Sequence, residues 1–182
     1  MKLLLTTIAA LLLVGCNPSV GIHQAAYNGN AKAVKQLIAS GTDMNTKDAE
    51  GLTPLHVASM AGQSEIADLL IANGANVNGT DEGGLTPLVM AVLKSQKEML
   101  EQLLNKGADV NAKTNEGFTA LDWAIHFKLT EITDLIRKNG GKSGTEESIH
   151  VAVTMGKIEA VKQHLTDGTD INLMGAKGLT PL

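Results

Sequence analysis

The chain has few of the residues that catalysis or nucleic-acid binding usually requires. It carries 15 lysines and arginines against 19 aspartates and glutamates, for a formal net charge of −4. Binding a phosphate backbone needs a clustered excess of cations, so the composition argues against a nucleic-acid partner. The sequence also lacks G-x-S-x-G, H-E-x-x-H, P-loop and G-x-G-x-x-G motifs. We therefore expect no enzymatic activity, no cofactor and no small-molecule substrate, although missing motifs do not exclude a catalytic site assembled over distance.

Cysteine is nearly absent too, since Cys16 is the only one. No disulfide can therefore form within the chain. The cysteine follows an N-terminal segment with one lysine and about a dozen mostly apolar residues, which is the length of an export signal and too short to span a bilayer comfortably. The sequence Leu13-Val14-Gly15-Cys16 resembles the lipobox of bacterial lipoproteins. That resemblance implies cleavage before the cysteine and acylation of it.

We accordingly predict a lipoprotein signal peptide over residues 1–15 and a short membrane tether over residues 16–21. Several acyl chains on Cys16 would anchor the protein stably without a membrane span. Because Asn17 and not an aspartate comes directly after the cysteine, the lipoprotein resemblance favours the outer membrane, with the protein facing the periplasm. An ordinary secretory signal with an incidental cysteine is the alternative.

Glycine, in contrast, is abundant and recurs in register with a repeated motif. Gly51-Leu52-Thr53-Pro54-Leu55 returns at residues 84–88 and again at residues 178–182. The motif threonines Thr53, Thr86 and Thr119 are 33 residues apart each time. A period of this size indicates one supersecondary unit stacked on copies of itself. We therefore expect function to lie on a surface and not in a cleft.

Each unit contains separate signals for two helices. The motif threonine suits a helix N-cap, the proline suits the first helical position, and later glycines suit the left-handed turns that end helices. Asx-rich loops come next, whose short side chains can fold a turn on their own backbone. The marker position of each unit is the motif leucine, or the isoleucine that replaces it in the first and fifth units. Three residues past each marker position lies a small residue that allows close helix packing: Ala25, Ala58, Ala91, Ala124 and Ala152.

This order of helix, glycine, helix, glycine and Asx-rich loop, repeated with G-x-T-P-L, resembles ankyrin repeats over roughly residues 20–182. The resemblance implies an all-α fold, an ankyrin-type α-solenoid of paired short helices with loop or hairpin fingers. We place repeats one to four in residues 22–144. Residues 145–182 would hold the fifth repeat and the start of a sixth, which Leu182 leaves truncated, so a downstream part is expected.

The pattern breaks between the fourth and fifth units. The marker interval there is 28 residues, from Leu121 to Ile149, in place of 33. No Asx-Val-Asn element occurs in this stretch, so we expect the finger to be missing. Thr145 or Ser148 is the predicted cap of the next helix.

Three histidines, His23, His56 and His150, occupy the same position after the motif leucine. They fall on three different units, the first, second and fifth, too far apart for one metal ion at bond lengths of about 2 Å. The ankyrin resemblance implies that this histidine braces neighbouring loops by hydrogen bonding. We therefore predict no metal site.

In ankyrin-like arrays the partner surface is the concave one, made of loop tips and the exposed ends of the first helices. Leu52, Leu85 and Phe118 precede the motif threonines and either contact a partner or pack between adjacent loops. Trp123 lies in a stretch expected to be core. An apolar ridge with an acidic rim favours protein binding. The candidate partner-binding residues are Tyr27, Met60, Leu93, His126, Phe127, Met155, Leu52, Leu85 and Phe118, with Glu50, Glu82 and Glu116 nearby.

The sequence thus predicts a non-enzymatic scaffold for protein–protein interaction, anchored in a bacterial cell envelope through lipidated Cys16. One alternative is the N-terminal targeting part of a larger enzyme or effector, which predicts a catalytic motif downstream of Leu182. Another is an inhibitor or immunity protein that occludes an exported partner, which predicts tight one-to-one binding where a scaffold can bind several proteins.

Overall fold

The computed structural model describes residues 21–170. The predicted signal peptide, the predicted acylation site Cys16, nearly all of the predicted tether and the predicted start of a sixth repeat lie outside these residues. Within the described part, no helix is both long enough and apolar enough to cross a membrane.

All regular elements in residues 21–170 are helices, arranged as pairs along the chain. The prediction of an all-α chain of paired short helices is confirmed. The pairs are α1 (Ile22–Tyr27) with α2 (Ala31–Ala39), α3 (Pro54–Ala61) with α4 (Ser64–Ala72), α5 (Pro87–Leu93) with α6 (Lys97–Asn105), α7 (Ala120–His126) with α8 (Thr130–Lys138), and, after the short α9 (Gly144–Glu147), α10 (Ile149–Thr154) with α11 (Ile158–Thr166).

The first helix of each regular unit begins where the motif predicts. Thr53, Thr86 and Thr119 are N-cap residues in extended conformation. The Thr86 hydroxyl oxygen accepts a hydrogen bond from the backbone N–H of Val89, which satisfies a donor that has no partner inside the helix. Pro54 occupies the first helical position, where the missing N–H has no cost.

Short left-handed turns separate the two helices of each pair. Gly29, Gly62 and Gly156 have φ between 64° and 67°, as the sequence predicts. In the third and fourth units Ser95 and Lys128 occupy this turn with φ of 55° and 56°. A side chain in the left-handed region strains the backbone by about 1–2 kcal/mol. These two units therefore keep the turn geometry without the residue that favours it.

The core is a continuous seam between neighbouring units. Helices α1, α3, α5 and α7 pack side by side in one layer, and α2, α4, α6 and α8 pack in a second layer. The five predicted alanines are fully buried, which lets the layers approach closely. Leucines such as Leu55, Leu70 and Leu103 are also fully buried, and each contributes about 1.5–3 kcal/mol by leaving water.

A second link between units is a ladder of asparagine side chains. Each amide group donates to a glycine carbonyl of the next unit at 2.9–3.4 Å, and each amide oxygen accepts a backbone N–H of that unit at 2.7–2.8 Å. Both backbone groups are thereby satisfied where consecutive loops meet. In this ladder Asn45 is hydrogen-bonded to Gly74 and Asn76, Asn78 is hydrogen-bonded to Gly107 and Asp109, and Asn111 is hydrogen-bonded to Gly140 and Lys142.

The junction between the fourth and fifth units has its own construction. The short helix α9 stands where the other units have a finger, so the expected loss of the finger is confirmed. Ser143 caps α9 by accepting from Thr145 N–H at 3.1 Å. Of the two predicted caps for the next helix, the structure selects Ser148, which is the N-cap residue of α10, while Thr145 lies inside α9.

Candidate protein-binding face

Three short loops, which we call the fingers, precede the first helices of units two to four: residues 48–52, 81–85 and 114–118. The Asp48 carboxylate accepts from the backbone N–H groups of Glu50 and Leu52 at 3.1 and 2.8 Å. Asp81 repeats this arrangement in the second finger. The third finger uses the hydroxyl of Thr114, which accepts from Phe118 N–H at 3.2 Å. Each finger is thus fixed by a side chain at its base.

Histidines fasten the first two fingers to the preceding unit. Nε2 of His23 lies 2.9 Å from the carbonyl oxygen of Leu52, and Nε2 of His56 lies 3.0 Å from that of Leu85. A carbonyl only accepts, so Nε2 carries the proton in both rings. The bracing role that the ankyrin resemblance implies is therefore confirmed for these two histidines.

His56 is fully buried and its Nδ1 accepts from the backbone N–H of Thr53 at 3.1 Å. Burial away from water lowers the pKa of His56 below its ordinary value, against the raising effect of the hydrogen bond to Leu85. Protonation would also place a hydrogen on Nδ1 against the Thr53 donor. The neutral ring is thus the form that holds the second finger.

The structure places one group of predicted partner residues in a row at the C-terminal ends of the first helices. Tyr27 and Phe127 expose 53% and 50% of their surface, so both offer a large aromatic side chain to a partner. His126 is exposed, while Met60 and Met155 are half-buried. Leu93 is half-buried and packs against the core, so only part of it is available to a partner.

The second predicted group lies on the fingers, at the opposite ends of the same helices. Leu52 and Leu85 are half-buried, and their carbonyls are held by the histidines. Phe118 is only 4% exposed, so of the two roles considered for it the structure favours packing between loops. Only a small part of its side chain is therefore available to a partner.

One unit joins the two groups through an aromatic cluster, defined as Phe118, Trp123, His126 and Phe127. The Trp123 ring meets Phe118 edge-on at a centroid distance of 5.4 Å and stacks on Phe127 at 6.1 Å and 17°. His126 contacts both Trp123 and Phe127 edge-on, at 6.4 and 5.0 Å. The cluster forms a continuous aromatic track from finger to helix end in the fourth unit.

The prediction that Trp123 is a core residue is confirmed only in part, because it packs against the core but is half-buried at the centre of this track. A signal was present in the sequence. Trp123 and Phe127 are four residues apart, a spacing that puts two helical side chains on one face. Phe118 and these two make three of the four aromatic residues in the whole chain, a concentration that average composition does not produce.

The face also carries acidic groups. Glu50 and Glu82 are exposed at the finger tips, and Glu82 and Glu116 line a cleft between the second and third fingers. In residues 21–170, no group of three or more histidine, aspartate or glutamate side chains is placed to hold a metal ion. The arrangement offers an aromatic and acidic contact surface on a rigid stack.

We call this surface, formed by the three fingers and the C-terminal ends of the first helices, the finger face. Comparison with protein families matches residues 22–114 to a model for ankyrin repeats in three copies. No curated protein matches the chain. The matched span covers half of the sequence and contains the first three units of the stack, and no catalytic domain was found. Repeats of this kind are scaffolds for protein–protein interaction, and the chain belongs to the ankyrin-repeat family.

Proposed function

We propose that this chain is a lipid-anchored scaffold of the bacterial cell envelope that binds another protein through its finger face. The exposure of Tyr27 and Phe127 on a regular ankyrin stack is the observation that carries the proposal. Exposed aromatic side chains supply large contact area at a small entropic cost, and such residues dominate binding energy at protein interfaces. The stack itself is held by hydrogen bonds between units, so little ordering is needed on binding.

Anchoring through Cys16 is the second part of the proposal, and the sequence supports it. The cysteine directly follows a segment with the length and composition of an export signal. Only five residues separate it from helix α1, a reach of roughly 15–20 Å when extended. The finger face would therefore meet its partner close to the membrane surface, in the periplasm.

The binding proposal is tested by affinity capture from solubilised envelope, with the full mature chain as bait. A triple variant, Tyr27→Glu, Met60→Glu and Phe127→Glu, places charges on three exposed or half-exposed positions of the finger face. We omit Leu93 because it packs against the core, so a charge there would disturb folding. Partners held by the finger face are expected to disappear from the capture with this variant.

A matched control carries the same number of new charges on the second helices. Gln36→Glu, Asn105→Glu and Leu165→Glu change exposed positions, and Leu165 provides an exposed apolar side chain for comparison. This control should retain the partners. Retention of every partner by the finger-face variant, with circular dichroism showing that it is folded, would contradict the proposed function.

Anchoring is tested separately by growth with labelled palmitate and subsequent membrane fractionation. The wild-type chain is expected to carry label and to sediment with the outer membrane. Cys16→Ser should abolish the label and release the chain. Label-free wild-type protein would show that the cysteine is not acylated, while leaving the binding proposal intact.

A further inference from the structure

The cleft between the second and third fingers differs from the rest of the finger face in the chemistry of its walls. It encloses about 370 Å³. Leu85, Phe118 and Trp123 form apolar and aromatic walls, and among the described residues the charged ones that line it are Glu82 and Glu116. An aromatic surface next to carboxylates is complementary to a positively charged group.

The cleft is preformed, because the two fingers that bound it are fastened to each other. Asn115 donates from its backbone N–H to the carbonyl of Gly83 at 3.0 Å and from its amide to the carbonyl of Glu82 at 2.8 Å. Gly84 has φ of 78° and approaches so closely that a Cβ would lie 2.7 Å from Asn115 N. A side chain entering the cleft would therefore meet fixed walls.

The aromatic wall occurs in this unit and not in its neighbour. In the third unit Met90 occupies the position of Trp123 and is only 7% exposed, and Leu85 occupies the position of Phe118. The indole of Trp123 is held in place by an edge-on contact with Phe118 and by stacking on Phe127. The cleft between the second and third fingers thus combines an aromatic wall with neighbouring glutamates, where a flat cationic group finds both kinds of partner.

We propose that this cleft is a specificity pocket for an arginine side chain presented by the protein partner. A guanidinium group is planar, stacks on aromatic rings and donates to carboxylates in pairs, whereas a lysine ammonium is a point charge with a larger hydration shell. Glu82 pairs with the guanidinium at the open edge, and Trp123 supplies the stacking surface. This inference rests on the proposed function, since it names the chemistry of the partner for the same face.

The test begins with a phage-displayed library of random peptides selected on the full mature chain. We expect the selected peptides to share an arginine. The strongest of them is then synthesised with arginine, lysine or citrulline at that position, and its affinity is measured by titration calorimetry. Citrulline keeps the planar shape and removes the charge, so its peptide should bind at least about tenfold more weakly.

Two protein variants locate the binding site. Glu82→Gln should lower the affinity for the arginine peptide by about tenfold and leave the affinity for the citrulline peptide unchanged, because citrulline has no charge with which Glu82 can pair. Glu101→Gln, an exposed glutamate on α6, is the control and should change neither affinity. Trp123→Leu should lower the affinity for both peptides. Because Glu82 is exposed, its variant is expected to fold, and it keeps the test valid even if Trp123→Leu fails to fold.

Peptides without a shared arginine, or no selected peptide at all, would overturn the proposal. So would an arginine peptide whose affinity is the same for wild type and Glu82→Gln. The scaffold function survives such a result if envelope partners are still lost with the Tyr27, Met60 and Phe127 variant. The two proposals therefore fail by different measurements.

Discussion

The regular stack of units one to four and the junction to unit five differ in how one side chain links a unit to the next. The side chain at the same repeat position donates a hydrogen bond in the first two units of the stack and accepts hydrogen bonds at the junction. In the stack, His23 and His56 donate to the carbonyls of the fingers ahead of them. At the corresponding position of the fourth unit stands Asp122, which is 2% exposed and accepts. Its carboxylate takes hydrogen bonds from Thr119 N–H and Gly144 N–H, both at 2.8 Å, and from the Ser143 hydroxyl.

The difference teaches how a repeat array tolerates a missing finger. A finger offers a carbonyl to the preceding unit, whereas the start of α9 offers N–H and O–H donors, so the bracing residue changes from a donor to an acceptor. Gly144 fits because it lies against the Gly117 carbonyl, where a Cβ has no room. The units on either side of the junction are also less closely joined, and a cavity of about 530 Å³ lies between them.

The largest expected effect comes from removing the acceptor at the junction. Asp122→Asn removes the charge, keeps one oxygen for the donors of Thr119 and Gly144, and turns an amide N–H towards the Ser143 hydroxyl. We expect unfolding of the fifth unit to be favoured by about 3 kcal/mol. Hydrogen exchange measured by mass spectrometry should show lost protection in α10 and α11 and unchanged protection in α3 and α4. Asp122→His, which introduces the residue found at this position in the first and second units, should be as harmful. Equal loss of protection along the whole chain would mean that the junction is not a separate unit of stability.

The corresponding change in the stack is His56→Gln, which keeps a donor of similar reach but loses the geometry of the ring. We expect about 1–2 kcal/mol lower stability in urea unfolding at pH 8. The titration provides a second readout. Because the pKa of His56 is lowered in the folded protein, the unfolded chain binds more protons, and stability is fully present above about pH 6.5 and declines as the pH falls towards the lowered pKa.

The pH dependence of wild type minus that of His56→Gln isolates this residue from the other histidines. The stability difference between the two proteins should shrink between pH 8 and pH 5. A difference that stays constant over this range would show that burial does not disfavour the charged ring.

The turns between paired helices allow a smaller comparison. Lys128→Gly removes the strain of a side chain at φ 56°, and we expect a gain of about 0.5–1 kcal/mol in urea unfolding. Lys128→Ala is the control, which removes the charged chain but keeps the strain and should give no such gain. Gly62→Ala should lose about 1 kcal/mol, since its φ is 67°. A gain from Lys128→Ala equal to that from glycine would trace the effect to the side chain and not to the backbone.

The smallest effect is expected from ion pairs between the second helices. Lys106 Nζ lies 2.8 Å from Asp68 Oδ1 and joins α4 to α6, and this lysine holds the pKa of Asp68 below its usual range. Both side chains are exposed, so Lys106→Met should change stability by about 0.5 kcal/mol or less and the change should vanish in high salt. A loss that persists in high salt would indicate that packing of the lysine stem, and not its charge, supports the stack.

Much of the fold could be predicted from the sequence because its causes are local. Thr86 and Pro87 start a helix, and Gly62 ends one, through backbone preferences that act within a few residues. The turns at Ser95 and Lys128 show the limit of that reasoning, since nothing in either residue favours φ near 55°. There the packing of helices on both sides enforces the geometry against local preference.

The candidate site was less predictable. The spacing of the repeats identified Tyr27 and Phe127 as surface positions, and both are exposed. Burial of Phe118 depends on how closely the second and third fingers approach, which no local pattern encodes. The central place of Trp123 in the aromatic cluster likewise depends on contacts with both ends of its helix.

By itself, the sequence determined the repeating pair of helices, the residues that begin and end most of them, and the place where the period shortens, because these depend on the preferences of single residues and their spacing. Only the tertiary structure decided that Asp122 faces three donors, that two fingers enclose an aromatic and acidic cleft, and that Phe118 is buried while Phe127 is exposed. Those outcomes depend on distances between units, which are set by how whole helices pack against each other.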